Sequence, residues 1–146
     1  MKIRKNGPTD LENALYKNAV TGAAAIKSLY PNVRDRKLER ELRGKFKEYQ
    51  KQSELISGQL RVQNKRPAGP DFMSRFISDA DIKLSCMKNS STENIAKMMY
   101  QNSAAGVVKV QHALNNSNGD SQRVVSVAKS VISKEQKFAD RLKNFL

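Results

Sequence analysis

The chain is poor in the residues that build covalent and metal chemistry. It has one cysteine, Cys86, one histidine, His112, and no tryptophan. A single thiol cannot close an intrachain disulfide, so oxidising export is not needed for stability. One cysteine and one histidine do not supply the four ligands of an ordinary zinc site. A dinuclear centre in a helical bundle draws a Glu-x-x-His pair from each of two helices. Here Lys109 and Val108 stand three and four places before the lone His112, at the edge of its helix's apolar stripe. Nucleophilic catalysis needs a base beside a serine or cysteine, and Cys86 has no local partner. There is no G-x-S-x-G, no H-E-x-x-H and no phosphate-cradling glycine loop, since Asn118-Gly119-Asp120 reads as a turn. The expectation is a protein that is not an enzyme, with no catalytic residues, no metal ligands and no cofactor.

Long hydrophobic runs are absent too. No stretch approaches the about 18 apolar residues of a membrane-spanning helix. Met1 to Asp10 is basic but lacks the apolar centre of a signal peptide. The expected location is the cytoplasm. The four prolines, Pro8, Pro31, Pro67 and Pro70, all fall at breaks between helical patterns.

What the chain has is positive charge and helical periodicity. Its 146 residues carry 27 Lys and Arg against 14 Asp and Glu, a net charge of +13 and a pI of about 10.0. Sixteen of the basic side chains lie in residues 1–66. Such a field attracts polyanions and accelerates their association. Candidate partners are RNA, DNA, anionic head groups or an acidic protein. A mean hydropathy of -0.66 suits helices that each bury one stripe.

One domain is expected over residues 1–146, with 1–8 as a flexible basic N-terminus. Thr9 and Glu12 form a capping box that opens a helix running to Leu29. Leu11, Leu15, Gly22, Ile26 and Leu29 share its inner face, and Gly22 allows a neighbouring helix to come close. A second helix is expected from Val33 to Asn64. Leu38, Leu42, Phe46, Tyr49, Ser53, Ile56 and Leu60 fall within about 80° of its circumference. After the break at Lys65 to Pro70, a short helix is expected from Asp71 to Lys88, with Phe72, Phe76, Ala80, Leu84 and Met87 on one side. Ser90 and Glu93 read as a second capping box. The next helix reaches Leu114 and turns Ile95, Met98, Met99, Asn102, Gly106 and Val110 inward. Asp120 is expected to cap the last one, which runs to Phe145 with Val124, Val127, Val131, Phe138 and Leu142 inward. No strand alternation is present. The fold class is all-α: an antiparallel up-down four-helix bundle with one additional short helix.

Two sets of residues stand out. Arg36, Arg40, Arg43, Lys47 and Lys51 lie opposite the apolar stripe of the second helix, a row of about 22 Å suited to neutralising a nucleic-acid backbone. Arg34, Arg61, Lys65, Arg66, Lys2, Arg4 and Lys5 could extend it. Five Phe, four Tyr and no Trp give little aromatic surface for base stacking. The same row is also what a solvated helix face looks like. Glu135 occupies the centre of the last apolar stripe, and Asn18 and Asn102 lie near the core faces of theirs. A buried carboxylate has to be paired or hydrogen-bonded. It reads either as a relic ligand site or as part of a buried network with Asn102, Asn18, Tyr49 or a lysine.

The segment Ser90-Ser91-Thr92-Glu93-Asn94-Ile95-Ala96-Lys97-Met98-Met99-Tyr100-Gln101 resembles small, uncharacterised ferritin-like bundle proteins of Firmicutes. Leu15-Tyr16-Lys17-Asn18-Ala19 with Gly22 is similar to their first helix. Glu135 and Arg141-Leu142-Lys143 are similar to their last. The resemblance implies a ferritin-like bundle with no activity assigned. The family pattern has His and Glu where this chain has Asn94 and Lys97, which implies degenerate metal positions.

Three functions follow as expectations. The first is a non-catalytic basic bundle that binds a polyanion, most plausibly RNA or DNA backbone. The second is a degenerate ferritin-like protein with a structural or metal-related role. The third is a self-assembly or interaction module, either a homo-oligomer or bound to a protein partner.

Overall fold

The structure, a computed structural model, describes residues 7–65 and 91–146. Those residues form four α-helices and two short 3₁₀ turns, with no strand among them. Helix α1 spans Asp10–Leu29, α2 Arg36–Val62, α3 Thr92–Asn115 and α4 Gln122–Leu142. The expected short helix from Asp71 to Lys88, the residues named on it, Cys86, Ser90 and residues 1–6 of the basic N-terminus lie outside the described residues.

Local chemistry fixes the helix ends. Thr9 and Glu12 make the capping box of α1, with the Thr9 hydroxyl accepting from the Glu12 amide at 3.1 Å and the Glu12 carboxylate accepting from the Thr9 amide at 2.9 Å. Helix α1 ends in a 3₁₀ turn, Tyr30–Asn32, because Pro31 can only occupy the first turn of a helical segment. Helix α2 therefore starts at Arg36 rather than Val33, capped by Asp35, whose carboxylate accepts from the Leu38 amide at 2.9 Å. It ends at Val62 rather than Asn64. Asn64 adopts a left-handed conformation (φ 55°), and the Lys65 amide donates back to Leu60. Ser91, rather than Ser90, is the cap of α3, accepting from the Asn94 amide. Ser121, not Asp120, caps α4 by accepting from Val124. The side chain of Asp120 is engaged elsewhere: it accepts from the hydroxyls of Thr9, at 2.5 Å, and Ser117. The last turn tightens into 3₁₀ geometry over Lys143–Phe145.

The chain order of the bundle is up-down-down-up. Thr9, Lys65, Ala113, Asn116 and Asp120 line one cleft, so the start of α1, the end of α2, the end of α3 and the start of α4 share one end. At the other end Tyr30 donates to Glu39 (3.1 Å), Arg141 donates to Glu41 (2.5 Å), and Leu29, Leu38, Ile95 and Leu142 share a cluster. Helices α2 and α3 therefore run parallel, and strict alternation along the chain does not hold. The end of α2 and the start of α3 lie at opposite ends of the bundle, separated in sequence by the longest connection in the fold. Helix α1 packs most closely on α2, and α3 on α4. Long side chains bridge α2 and α4 across a wider gap.

Each helix buries one stripe, and the buried residues form two apolar clusters. One, around Leu29, Leu38, Leu42, Met99, Phe138 and Leu142, fills the end where α1 finishes. The other, around Leu11, Leu15, Ile56, Leu60, Val110 and Val131, fills the opposite end. Each fully buried Leu, Ile or Phe stabilises the fold by about 1.5–3 kcal/mol. Three of the sequence-based faces are displaced by one residue. Lys45 and Gln52 are buried where Phe46 and Ser53 were expected, Ser103 where Asn102 was expected, and Ala128 where Val127 was expected.

Candidate functional sites: a buried polar layer and a basic helix face

A polar layer lies at the middle of the bundle. Glu135 of α4 is 0% exposed and Lys45 of α2 only 2%. The Lys45 ammonium touches two carboxylates, Glu135 at 2.5 Å and Glu48 at 2.8 Å. It also lies over the rings of Tyr49 and Phe138, with Nζ 4.9 and 5.2 Å from their centroids. The Tyr49 hydroxyl donates to both carboxylate oxygens of Glu135 at 2.9 Å. Gln52 Nε2 donates to Glu48 at 3.3 Å, and the Ser103 hydroxyl donates to the Glu135 backbone carbonyl at 3.0 Å. The Glu48 side chain is 25% exposed and gives the layer its way to solvent. Each buried charge thus has a partner of opposite sign, which is the condition for tolerating it.

Burial pushes the Tyr49 phenol well above its ordinary value of 10.0, and the neighbouring Glu135 charge pushes it further in the same direction. Tyr49 is therefore a permanent donor at physiological pH.

Two glycines make room for the layer. A Cβ at Gly22 would overlap the Tyr49 ring, so this glycine is what lets α1 lie directly on it. A Cβ at Gly106 would overlap the amide oxygen of Asn18 and meet a Glu135 oxygen at 3.4 Å. Asn18 and Asn102 are half-buried. The amide nitrogen of Asn18 is buried, as are the Thr21 hydroxyl and the Gln52 amide oxygen, and these three atoms have no hydrogen-bond partner among the described residues.

Lys45 was not singled out from the sequence, although the signal is there. Leu38, Leu42, Lys45, Tyr49, Gln52, Ile56 and Leu60 recur at spacings of three and four, the spacing of a core stripe. Choosing the larger apolar neighbour Phe46 over Lys45 hid a charged residue at a core position.

Arg36, Arg40, Arg43, Lys47 and Lys51 are all exposed on the face of α2 that points away from the core. Arg43 pairs with Glu39 and donates to the Tyr30 hydroxyl at 3.4 Å. Arg36, Arg40, Lys47 and Lys51 enter no ion pair among the described residues. Helix α4 adds exposed Arg123, Lys129, Lys134 and Lys137. His112 is exposed on α3, with Asn116 Nδ2 3.5 Å from its ring. Among the described residues, no three His, Cys, Asp or Glu side chains converge as a metal site. No helix among them is long and apolar enough to cross a membrane.

No family model, curated protein or solved structure matches the chain.

Proposed function

We propose that this protein is a non-catalytic basic bundle whose α2 face binds a polyanion, RNA or DNA backbone in the first instance. The observation that carries the reading is the row of exposed cations from Arg36 to Lys51 on the side of α2 opposite the core. A straight row of about 22 Å set on a rigid helix offers charge at intervals of one turn, which suits phosphates rather than base edges. Two acidic residues of α2 are engaged away from the row, Glu41 by Arg141 and Glu48 by Lys45, while Glu39 pairs with Arg43 within it. The test is a titration of nuclease-treated protein against labelled RNA and duplex DNA at two salt concentrations. Binding that weakens steeply with salt supports the reading. No binding at low salt removes it.

A second reading rests on chain order. One long connection between parallel second and third helices is the ferritin-type arrangement of a four-helix bundle, in keeping with the resemblance of the first, third and last helices. In that reading the protein is a ferritin-like scaffold with degenerate metal positions and a structural role. Lys45 supplies the positive charge that faces Glu135. Stoichiometric iron or manganese in the purified protein would favour a metal-related role over polyanion binding. A discrete oligomer at low salt without nucleic acid would favour self-assembly.

A further inference from the structure

We propose that Lys45 and Glu135 are the two ends of an intramolecular amide cross-link between α2 and α4, formed autocatalytically in the polar layer. The reactants are already in contact, with Lys45 Nζ 2.5 Å from Glu135 Oε1. Both side chains are sealed from solvent, at 0% and 1% exposure. Two aromatic rings, Tyr49 and Phe138, close over the amine. Such contact between amine and carboxyl replaces a bimolecular encounter with an intramolecular one.

The remaining groups supply the chemistry. A proton passes from the Lys45 ammonium to the Glu135 carboxylate. The freed lone pair on Nζ attacks Glu135 Cδ, and a C–N bond forms. Tyr49, which donates to both Glu135 oxygens, stabilises the negative oxygen of the tetrahedral intermediate. Glu48, 2.8 Å from Nζ, accepts the second proton from nitrogen and returns it to the departing hydroxyl, which leaves as water. Glu48 ends as the carboxylate it began as, held by Gln52, and its partial exposure provides the route by which water escapes. The product is one amide and one water from one ammonium and one carboxylate, with no oxidant or co-reactant. The bond joins two helices whose backbones make few close approaches, and so ties the α1–α2 half of the bundle to the α3–α4 half.

The test is the intact mass of the purified, folded full chain, followed by peptide mapping. The expected mass is one water below that required by the sequence, with Lys45 and Glu135 recovered in a single branched peptide. Glu48→Gln should slow the loss by about a hundredfold or more, as removal of a general acid–base does. Lys45→Met, and Lys45→Met combined with Glu135→Gln, should keep the full mass. A folded wild-type chain with the full sequence mass overturns the proposal. So does a loss of water that maps elsewhere, such as to a succinimide at Asp120.

Discussion

Tyr49 reaches across the bundle from α2 to place its hydroxyl 2.9 Å from each carboxylate oxygen of Glu135 on α4. The two residues are separated by 86 positions in sequence, and both are fully buried. Removing the donor leaves a buried acceptor short of a partner, a loss of about 1–3 kcal/mol. Tyr49→Phe should lower the unfolding free energy by that amount in urea titrations with little change in slope, because the ring still fills its place. An unchanged midpoint would mean that the hydroxyl contributes nothing to the layer.

The same tyrosine sets an alkaline limit. Its folded-state pKa is raised above 10.0, chiefly by burial and then by the Glu135 charge. The unfolded chain therefore releases this proton first. The stabilising contribution is complete below about pH 10 and declines as pH rises through and beyond that value. Wild-type stability should fall over that interval more steeply than that of Tyr49→Phe. Phenolate absorbance from this residue should appear only together with loss of helical circular dichroism.

Gly22 and Gly44 make opposite predictions from the same substitution. Alanine at Gly44, an exposed position with no neighbour within 4 Å of a new Cβ, should stabilise α2 by about 0.5–1 kcal/mol through helix propensity. Alanine at Gly22 has the same propensity gain, but its Cβ overlaps the Tyr49 ring. Forcing a methyl into a packed site costs about 1–3 kcal/mol, so the net effect should be destabilising. Thermal melts of the two variants check the sign of each. Stabilisation at Gly22 would show that the α1–α2 contact can open without penalty.

Helix content was readable from periodicity because each helix buries a stripe of Leu, Ile, Val and Ala at spacings of three and four. The capping box at Thr9 and Glu12 and the stop at Pro31 are local chemistry, and they stand as read. The displaced core positions share one cause. Where two adjacent residues compete for the edge of a stripe, hydropathy favours the bulkier or more apolar one, as with Phe46 over Lys45 and Val127 over Ala128. Tertiary pairing decides otherwise, because Glu135 supplies the counter-charge that makes a buried lysine tolerable. Chain order was illegible for a different reason. Periodicity fixes which face of a helix is inside, but says nothing about whether its neighbour runs parallel or antiparallel. Glu135 was visible because a carboxylate between Val131 and Phe138 breaks the pattern of its own helix.

The charge balance of the layer can be isolated in a background that lacks the amine. Lys45→Met leaves the Glu135 carboxylate buried without its cation, whereas Lys45→Met with Glu135→Gln leaves a neutral layer of similar shape. An uncompensated buried charge costs about 3–5 kcal/mol, while replacing the whole pair is often neutral. The double variant should therefore be the more stable of the two by several kcal/mol. Equal stability at neutral pH would mean that Tyr49 alone compensates Glu135.

The basic face makes a prediction about slopes as well as affinities. Reversing Arg36, Arg40, Lys47 and Lys51 to Glu changes only exposed side chains on one side of α2, so helicity and melting should be nearly unchanged. If those four cations each neutralise one phosphate, the slope of log affinity against log salt should lose about 0.7–0.9 per contact, or about three in total. Arg43 offers an internal comparison, since it is already engaged by Glu39 and Tyr30. Its single reversal should weaken binding less than reversal of Arg40 or Lys47. Affinity and slope that both survive the fourfold reversal would move the polyanion site away from α2. The exposed Lys129, Lys134 and Lys137 of α4 would then be the next positions to reverse.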